Sequence, residues 1–515
     1  MERPIAKQSR DFFPSRQFLA WLCIFILVIT TLPLYIISLY NHPYFDDYQF
    51  SKNVRFAWLE THSLSAALQA AWQNARTVRD SWQGTYTGTL LSNIQPGLFS
   101  ESLYFYSTFF LLTAFLLCFG FFIKAVFADV LGLDIPSLVI LVSLMLMLMI
   151  QFLPDPAEAF FWFNGGVGNT FIYSILALSL GLCAKLWRCT SRIKQVLLLL
   201  TLLICMILLG GGSYGGGLFG LLLYGLLGVF AFVKKNPMRW CYAGLLVIFL
   251  TCFLYSVSAP GNAQRSARIA ADSSFPKAVV QAVYYGVALA GSFIRLPLLA
   301  VTAMLIPCYV RIAKASLYRF SHPWLLLSGS LCLYCTQLTP TLYAGVFIGG
   351  WRTVNTYYQS FVVIWFFMAY YLTGYWVRQT EERQNIKKIY NALKTRVSRT
   401  KQCLLFASAA MLLLGCLAYK RPQDASFGLQ NMAGGSAALS LLRGEAQQYH
   451  REMQDREALF KDPALKDITL KPLSVTPKIF MKDLLVPDAV YDVRSILCEY
   501  YSKDSIRLAG EGDKP

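Results

Sequence analysis

The sequence predicts an all-α polytopic membrane protein with about eleven transmembrane helices, a large first extracytoplasmic loop and a small extracytoplasmic C-terminal domain. Three observations predict it. Of 515 residues, 56% are hydrophobic and 14% charged, whereas a soluble protein is about 45–50% apolar and about 25% charged. A soluble chain of this length would divide into about three domains, each with its own polar surface, and the charge is too scarce to cover them. The apolar residues also fall into runs of about 20, the length that crosses a ~30 Å hydrocarbon core. Finally, 46 Lys and Arg stand against 28 Asp and Glu, unevenly placed along the chain. A soluble enzyme, a disordered chain and a disulfide-rich secreted module are excluded.

The eleven runs are 18–40, 103–126, 135–153, 165–184, 195–210, 217–233, 240–258, 293–310, 323–346, 357–377 and 402–419. The first is too long for a signal peptide, and no small-residue cleavage site follows it. With the N-terminus inside, the inner segments hold 23 Lys/Arg, eight of them between Arg378 and Lys401, against 9 in the outer loops. That is the positive-inside asymmetry. The remaining 14 lie after Tyr419, where 14 acids balance them. The basic excess encodes topology and leaves no role for nucleic acid.

Residues 1–419 form the membrane domain and 420–515 a C-terminal domain, helical and partly extended, on the outer side. Pro463, Pro472 and Pro477 exclude a long helix between Phe460 and Pro477. The first outer loop, 41–102, contains Leu64, Ala67, Leu68, Ala71, Trp72 and Ala75 at helical spacing, an amphipathic helix suited to the membrane interface. A second outer segment spans 259–292. The run GGGSYGGG at 210–217 lacks the Lys-Ser/Thr of a phosphate loop and reads as a tight turn or close packing. Cys332 and Cys335 lie inside an apolar run and read as packing residues.

The chemistry-bearing residues gather on the outer side. Asp46 and Asp47 stand just past the first span in NHPYFDDY. Carboxylates at a bilayer are costly and mark function; adjacent ones repel, which raises a pKa and suits a general base. Asp155 and Glu158 follow the third span on a short outer loop where Pro154 and Pro156 break the helix, and Trp162 stands in the aromatic run after them. Arg79, Trp82 and Tyr86 belong to RDSWQGTYTG, a further outer stretch of rings, amide and hydroxyls. Arg265, Arg268, Arg295 and Arg352 are outer guanidiniums, each able to hold a phosphate bidentately.

These pieces resemble the GT-C superfamily of polyprenyl-phosphate-sugar-dependent glycosyltransferases, and within it the bacterial serotype-converting (Gtr-type) O-antigen glucosyltransferases. The resemblance is carried by Tyr44-Phe45-Asp46-Asp47, Trp82–Tyr86 (WQGTY), Glu158–Asn164 (EAFFWFN) and Ala259–Asn262 (APGN). Glu499–Ile506 also looks like the ends of related multi-pass bacterial proteins.

It implies a GT-C-like fold in a bacterial inner membrane, N-terminus cytoplasmic and C-terminal domain periplasmic. The implied reaction is inverting transfer of a sugar, glucose in the Gtr-type enzymes, from undecaprenyl phosphate. The acceptor is surface polysaccharide (O-antigen) or its lipid-linked precursor. The lipid bilayer is the remaining partner. Asp46, Asp47 and Glu158 would be catalytic. Asp155, Arg79, Trp82, Tyr86, Trp162, Arg265, Arg295 and Arg352 would bind substrate. No cofactor is required and no metal site is assigned, although some superfamily members use a divalent cation, for which Asp46, Asp47, Asp155 and Glu158 would be the oxygen donors.

Two other classes also have many spans. A polysaccharide polymerase or ligase usually carries its large outer loop later in the chain. A lipid-linked sugar transporter or flippase would show mid-span charges and an internal repeat, and neither is evident.

Overall fold

The computed structural model describes residues 15–269, 274–382, 405–485 and 493–509; most of the basic stretch between Arg378 and Lys401 lies outside them. Helix α1 (Arg16–Ser38) leads into the first loop, built from α2 (Asp46–Thr61), α3 (Leu64–Ser81) and α4 (Tyr86–Ser92). The bundle continues through α5 (Tyr106–Lys124), α6 (Ile135–Gln151), α7 (Phe163–Arg188), α8 (Arg192–Gly210), α9 (Tyr214–Val233) and α10 (Arg239–Val257). Then follow α11 (Pro260–Ile269), α12 (Phe275–Phe293), α13 (Leu296–Ala315), α14 (Pro323–Thr336), α15 (Trp351–Glu382) and α16 (Leu405–Leu417). The tail holds α17 (Ala433–Leu442), α18 (Glu445–Lys461), β1 (Asp467–Leu470), α19 (Val493–Tyr501) and β2 (Ser505–Leu508).

The chain is a mostly helical, multi-pass membrane protein. Among the described residues eight helices are long and apolar enough to cross a bilayer: α1, α5 with its flanking turns, α7, α8, α9, α10, α13 and α15. Each of the eleven apolar runs coincides with a helix, but α6, α14 and α16 are shorter than the eight. α14 stops at Thr336 and the chain restarts as a short helix at Thr339. Pro340 offers no N–H to the carbonyl one turn back, so the hydrogen-bond ladder of α14 ends there, and proline is tolerated in the first turn of the new helix.

Apolar residues face outward, as in a lipid-solvated helix. α1 exposes Phe18, Trp21, Phe25 and Val28 and buries Thr31, Leu34, Ile37 and Ser38. The segment 259–292 is mostly helical, in α11 and α12. Lys277, Gln281, Tyr284 and Tyr285 dilute the hydropathy of α12, yet Val280 and Tyr284 are exposed while Ala278, Ala282 and Gly286 are turned inward. A Cβ on Gly286 would meet Cys335 Sγ at 2.6 Å, so Cys335 serves packing.

In the first loop, α3 forms where the spacing predicts it, but its small residues do the packing. Ala67, Ala71 and Ala75 are buried, on the side where α3 meets α2, and Leu64, Leu68 and Trp72 are exposed. The glycine run both turns and packs: Gly211 O accepts from Thr87 N at 2.9 Å, and Gly210 lies against Cys252.

The tail is welded to the bundle at two places. Tyr48 of α2 packs with Phe460, Leu497, Tyr500 and Tyr501, alongside Ile468 and Ile506 of the parallel pair β1–β2. α17 lies against α1 through small residues. Gln151 of α6 joins the three, donating to Thr30 O at 3.0 Å and accepting from Gly434 N at 2.7 Å. A Cβ on Gly434 would sit 1.9 Å from Thr30 O. Gly434→Ala therefore forces α17 off α1, at a cost of about 2 kcal/mol, and its thermal midpoint is expected several degrees below wild type.

Asp129 and Asp134 belong to the opposite end of the bundle. Asp129 pairs with Lys185 at 2.5 Å and Asp134 with Arg311 at 2.7 Å. These are partly exposed pairs of the kind worth at most about 1 kcal/mol.

Candidate active site

The first loop opens with a turn that separates the two aspartates. Phe45 takes φ 38°, ψ −98° and caps α2, a left-handed backbone that costs a non-glycine residue about 1–3 kcal/mol. Tyr44 N–H donates to Asp47 Oδ2 at 3.0 Å and pins the turn. Asp46 and Asp47 then begin α2, where the helix dipole favours negative charge, but adjacent helical residues face different directions.

Asp47 points into protein. Its side chain is fully buried, and besides Tyr44 it accepts from Tyr104 Oη at 2.5 Å and Asn164 N at 3.1 Å. Burial pushes its pKa up to about 7, against those hydrogen bonds. The carboxylate ties the first loop to the residues after α6 and has no opening toward a substrate. Asp46 is only partly buried. Among the described residues its carboxylate makes no hydrogen bond. It faces the guanidiniums of Arg352 and Arg265; burial raises its pKa to about 6, against the pull of these two cations.

Arg352 stands at the start of α15, its guanidinium 4.9 Å from the Trp162 ring centre. Its backbone N–H donates to Glu158 Oε2 at 2.7 Å. Glu158 thus anchors the N-terminus of α15 and places Arg352. Asp155 is braced by Asn355, by Glu158 N–H and by Gln423, and burial followed by the charge of Glu158 lifts its pKa to about 6. The four acids Asp46, Asp47, Asp155 and Glu158 supply no group of three ligand atoms within 4.8 Å among the described residues. Trp162 Nε1 and Asn164 Nδ2 are buried donors without a partner among the described residues.

Two further motif pieces meet each other. Gly84 N–H lies 2.9 Å from Tyr214 Oη and 3.3 Å from Asn262 Oδ1, and Ser256 Oγ donates to Gly84 O. A Cβ on Gly84 would strike Ser256 O at 1.9 Å. This clamp sets α11 against Trp82, whose ring lies 4.9 Å from the Arg265 guanidinium and 5.9 Å from that of Arg268. Arg265 also donates to Gln83 Oε1 at 2.9 Å.

Asp46, Arg265, Arg352, Trp162, Trp82 and Glu158 are thus assembled at one end of the bundle. Three expected substrate ligands are engaged in scaffolding contacts instead. Arg79 lies over Tyr255 at 4.1 Å and donates to Tyr255 O; Tyr86 Oη donates to Ile207 O at 2.6 Å. Arg295 donates to Lys420 O at 2.7 Å and to Ser292 O. It also lines a separate apolar cavity of about 490 Å³, together with Leu148, Phe152, Phe293, Leu298, Trp351 and Tyr358.

Tyr104 and Asn164 are the residues that sequence spacing does not single out. Tyr104 lies 57 positions from Asp47, and nothing local distinguishes it from the other 28 tyrosines. No protein-family model, characterised protein or solved structure matches the chain, so the functional reading rests on the residues themselves.

Proposed function

We propose that the protein is an inverting glycosyltransferase of the GT-C type. It would take a sugar, glucose by resemblance, from undecaprenyl phosphate and pass it to O-antigen or its lipid-linked precursor on the periplasmic face of a bacterial inner membrane. The observation that carries the reading is Asp46: an unbonded, partly exposed carboxylate between two guanidiniums, with a raised pKa. An acceptor hydroxyl gives its proton to Asp46 as its oxygen attacks the anomeric carbon. The bond from that carbon to the phosphate oxygen breaks, and the electron pair leaves on the phosphate. Arg352 is suited to neutralise the leaving phosphate. The Trp162 ring is buried between Arg352 and Tyr44, and its indole N–H and the Asn164 amide, buried and without partners among the described residues, would meet sugar hydroxyls only on opening of the site.

The apolar cavity supports the lipid half of the reading. Trp351, which lines it, is the residue next to Arg352, so a prenyl chain lying there would hold its phosphate near that guanidinium. The test is transfer by purified protein from undecaprenyl-phosphate-glucose to a lipid-linked O-antigen repeat. Use of a nucleotide sugar in its place would sink the reading. Ser292→Trp, which fills the cavity from an exposed position, is expected to raise KM for the long-chain donor about tenfold. A donor with a two-isoprene chain should be unaffected; equal losses for both would remove the cavity from the lipid path.

A further inference from the structure

A second polar cluster lies where the tail meets the first loop, apart from Asp46. His42 comes from the segment before α2, Glu101 from the turn before α5 and Glu457 from α18. One ligand atom from each lies within 4.8 Å of the other two. His42 and Glu101 are only 5% and 7% exposed. His42 Nε2 is paired with Nδ1 of His450 at 2.9 Å, and His42 Nδ1 is buried with no partner among the described residues. Glu101 is held by the Tyr501 hydroxyl, and Glu457 pairs with Lys461 one turn along its helix.

Two carboxylates are gathered with little solvent, where charge costs several kcal/mol to desolvate, and Glu101 and Glu457 meet through a side-chain hydrogen bond that needs a proton between them. A divalent cation among the three ligand atoms would take the place of that proton and balance both carboxylates. An imidazole with two carboxylates is a mixed nitrogen–oxygen set; calcium and magnesium prefer oxygen alone, whereas zinc accepts both. Tetrahedral zinc at about 2.0–2.2 Å would bring the ligand atoms to about 3.4 Å from one another, a short closing movement from their present spacing. His450 and Tyr501 then act as the outer partners that orient the His42 ring and the Glu101 carboxylate.

We infer that His42, Glu101 and Glu457 form a binding site for a divalent transition-metal ion of the zinc class, which fastens α18 of the tail to the first loop. The inference does not depend on glycosyl transfer, and its readout is binding.

The experiment uses the full chain in detergent, stripped with chelator and re-exposed to zinc chloride. The wild type is expected to retain one zinc per chain by elemental analysis and to melt several degrees higher with zinc than without, reversibly on adding chelator. Magnesium should have no such effect. Glu457→Gln, on a half-buried side chain, should match the wild-type metal-free midpoint and bind zinc at least tenfold more weakly. Glu101→Gln is the second variant should the first fail to fold, and Asp455→Asn on the exposed face of α18 should behave as wild type. Failure of the wild type to take up zinc would overturn the inference, as would unchanged zinc binding in both glutamine variants or an equal response to magnesium.

Discussion

Asp46→Asn is expected to give a folded protein that no longer transfers sugar, with turnover lower by about 10³-fold, within the span of a lost general base. The change is isosteric, and Asp46 makes no hydrogen bond to be broken among the described residues. The pH dependence carries the same signature. The base works only when deprotonated, so wild-type kcat/KM should rise as pH passes through about 6 and then level, following the Asp46 pKa of about 6. Stability moves the other way. A carboxyl raised by folding contributes most where it is protonated, and that contribution is lost as pH climbs from its ordinary value of 3.8 through about 6. Above that window the buried charge costs about 1–2 kcal/mol, discounted for its partial exposure. Asp46→Asn should thus melt slightly above wild type at pH 8, and the two should converge only below about pH 4, under the ordinary carboxyl value of 3.8. Transfer at near wild-type rate by this variant would place the base elsewhere.

Asp47→Ala has a different consequence. It removes the acceptor shared by three donors, Tyr44 N–H, Tyr104 Oη and Asn164 N–H, of which Tyr104 Oη alone keeps a second acceptor, Phe161 O at 3.4 Å. At about 1–3 kcal/mol for each orphaned group, the expected loss is about 3–5 kcal/mol, read as a fall of many degrees in thermal midpoint and little recoverable protein. Tyr104→Phe removes one of the three bonds to Asp47 and also the acceptor of Phe163 N–H, and should cost about 2–3 kcal/mol. Asp47→Asn purified in the cold separates scaffold from chemistry. As a positioning residue it should lose about tenfold in kcat and keep the inflection near pH 6; as the base it would lose the inflection. The acidic pair is therefore divided by its surroundings, Asp47 buried and bonded into the fold and Asp46 partly exposed beside two guanidiniums.

That division is where legibility in the sequence ends. The helical runs are legible because lipid solvation demands long apolar stretches, and helices such as α8 and α9 leave no choice. α12 is missed by hydropathy because only its spacing of small residues, Ala278, Ala282 and Gly286, reveals its packing face. Asp46 and Asp47 are conspicuous through scarcity of charge, but which one faces outward depends on the positive φ of Phe45 and on Tyr104, 57 residues away. Arg79, Tyr86 and Arg295 have the right chemistry and the right end of the bundle, yet backbone carbonyls of Tyr255, Ile207 and Lys420 occupy them. Spacing carries no information about such partners.

The joint of Thr30, Gln151 and Gly434 orders the protein's birth. Its members are separated by 404 positions from first to last. α1 and α6 are made long before α17, whose small residues pack on α1. Until then the Gln151 side-chain carbonyl lacks the Gly434 donor. The joint therefore closes only once α17 is made. A nascent chain arrested before residue 433 carries an open seam, the surface a membrane protease or chaperone can read as unfinished.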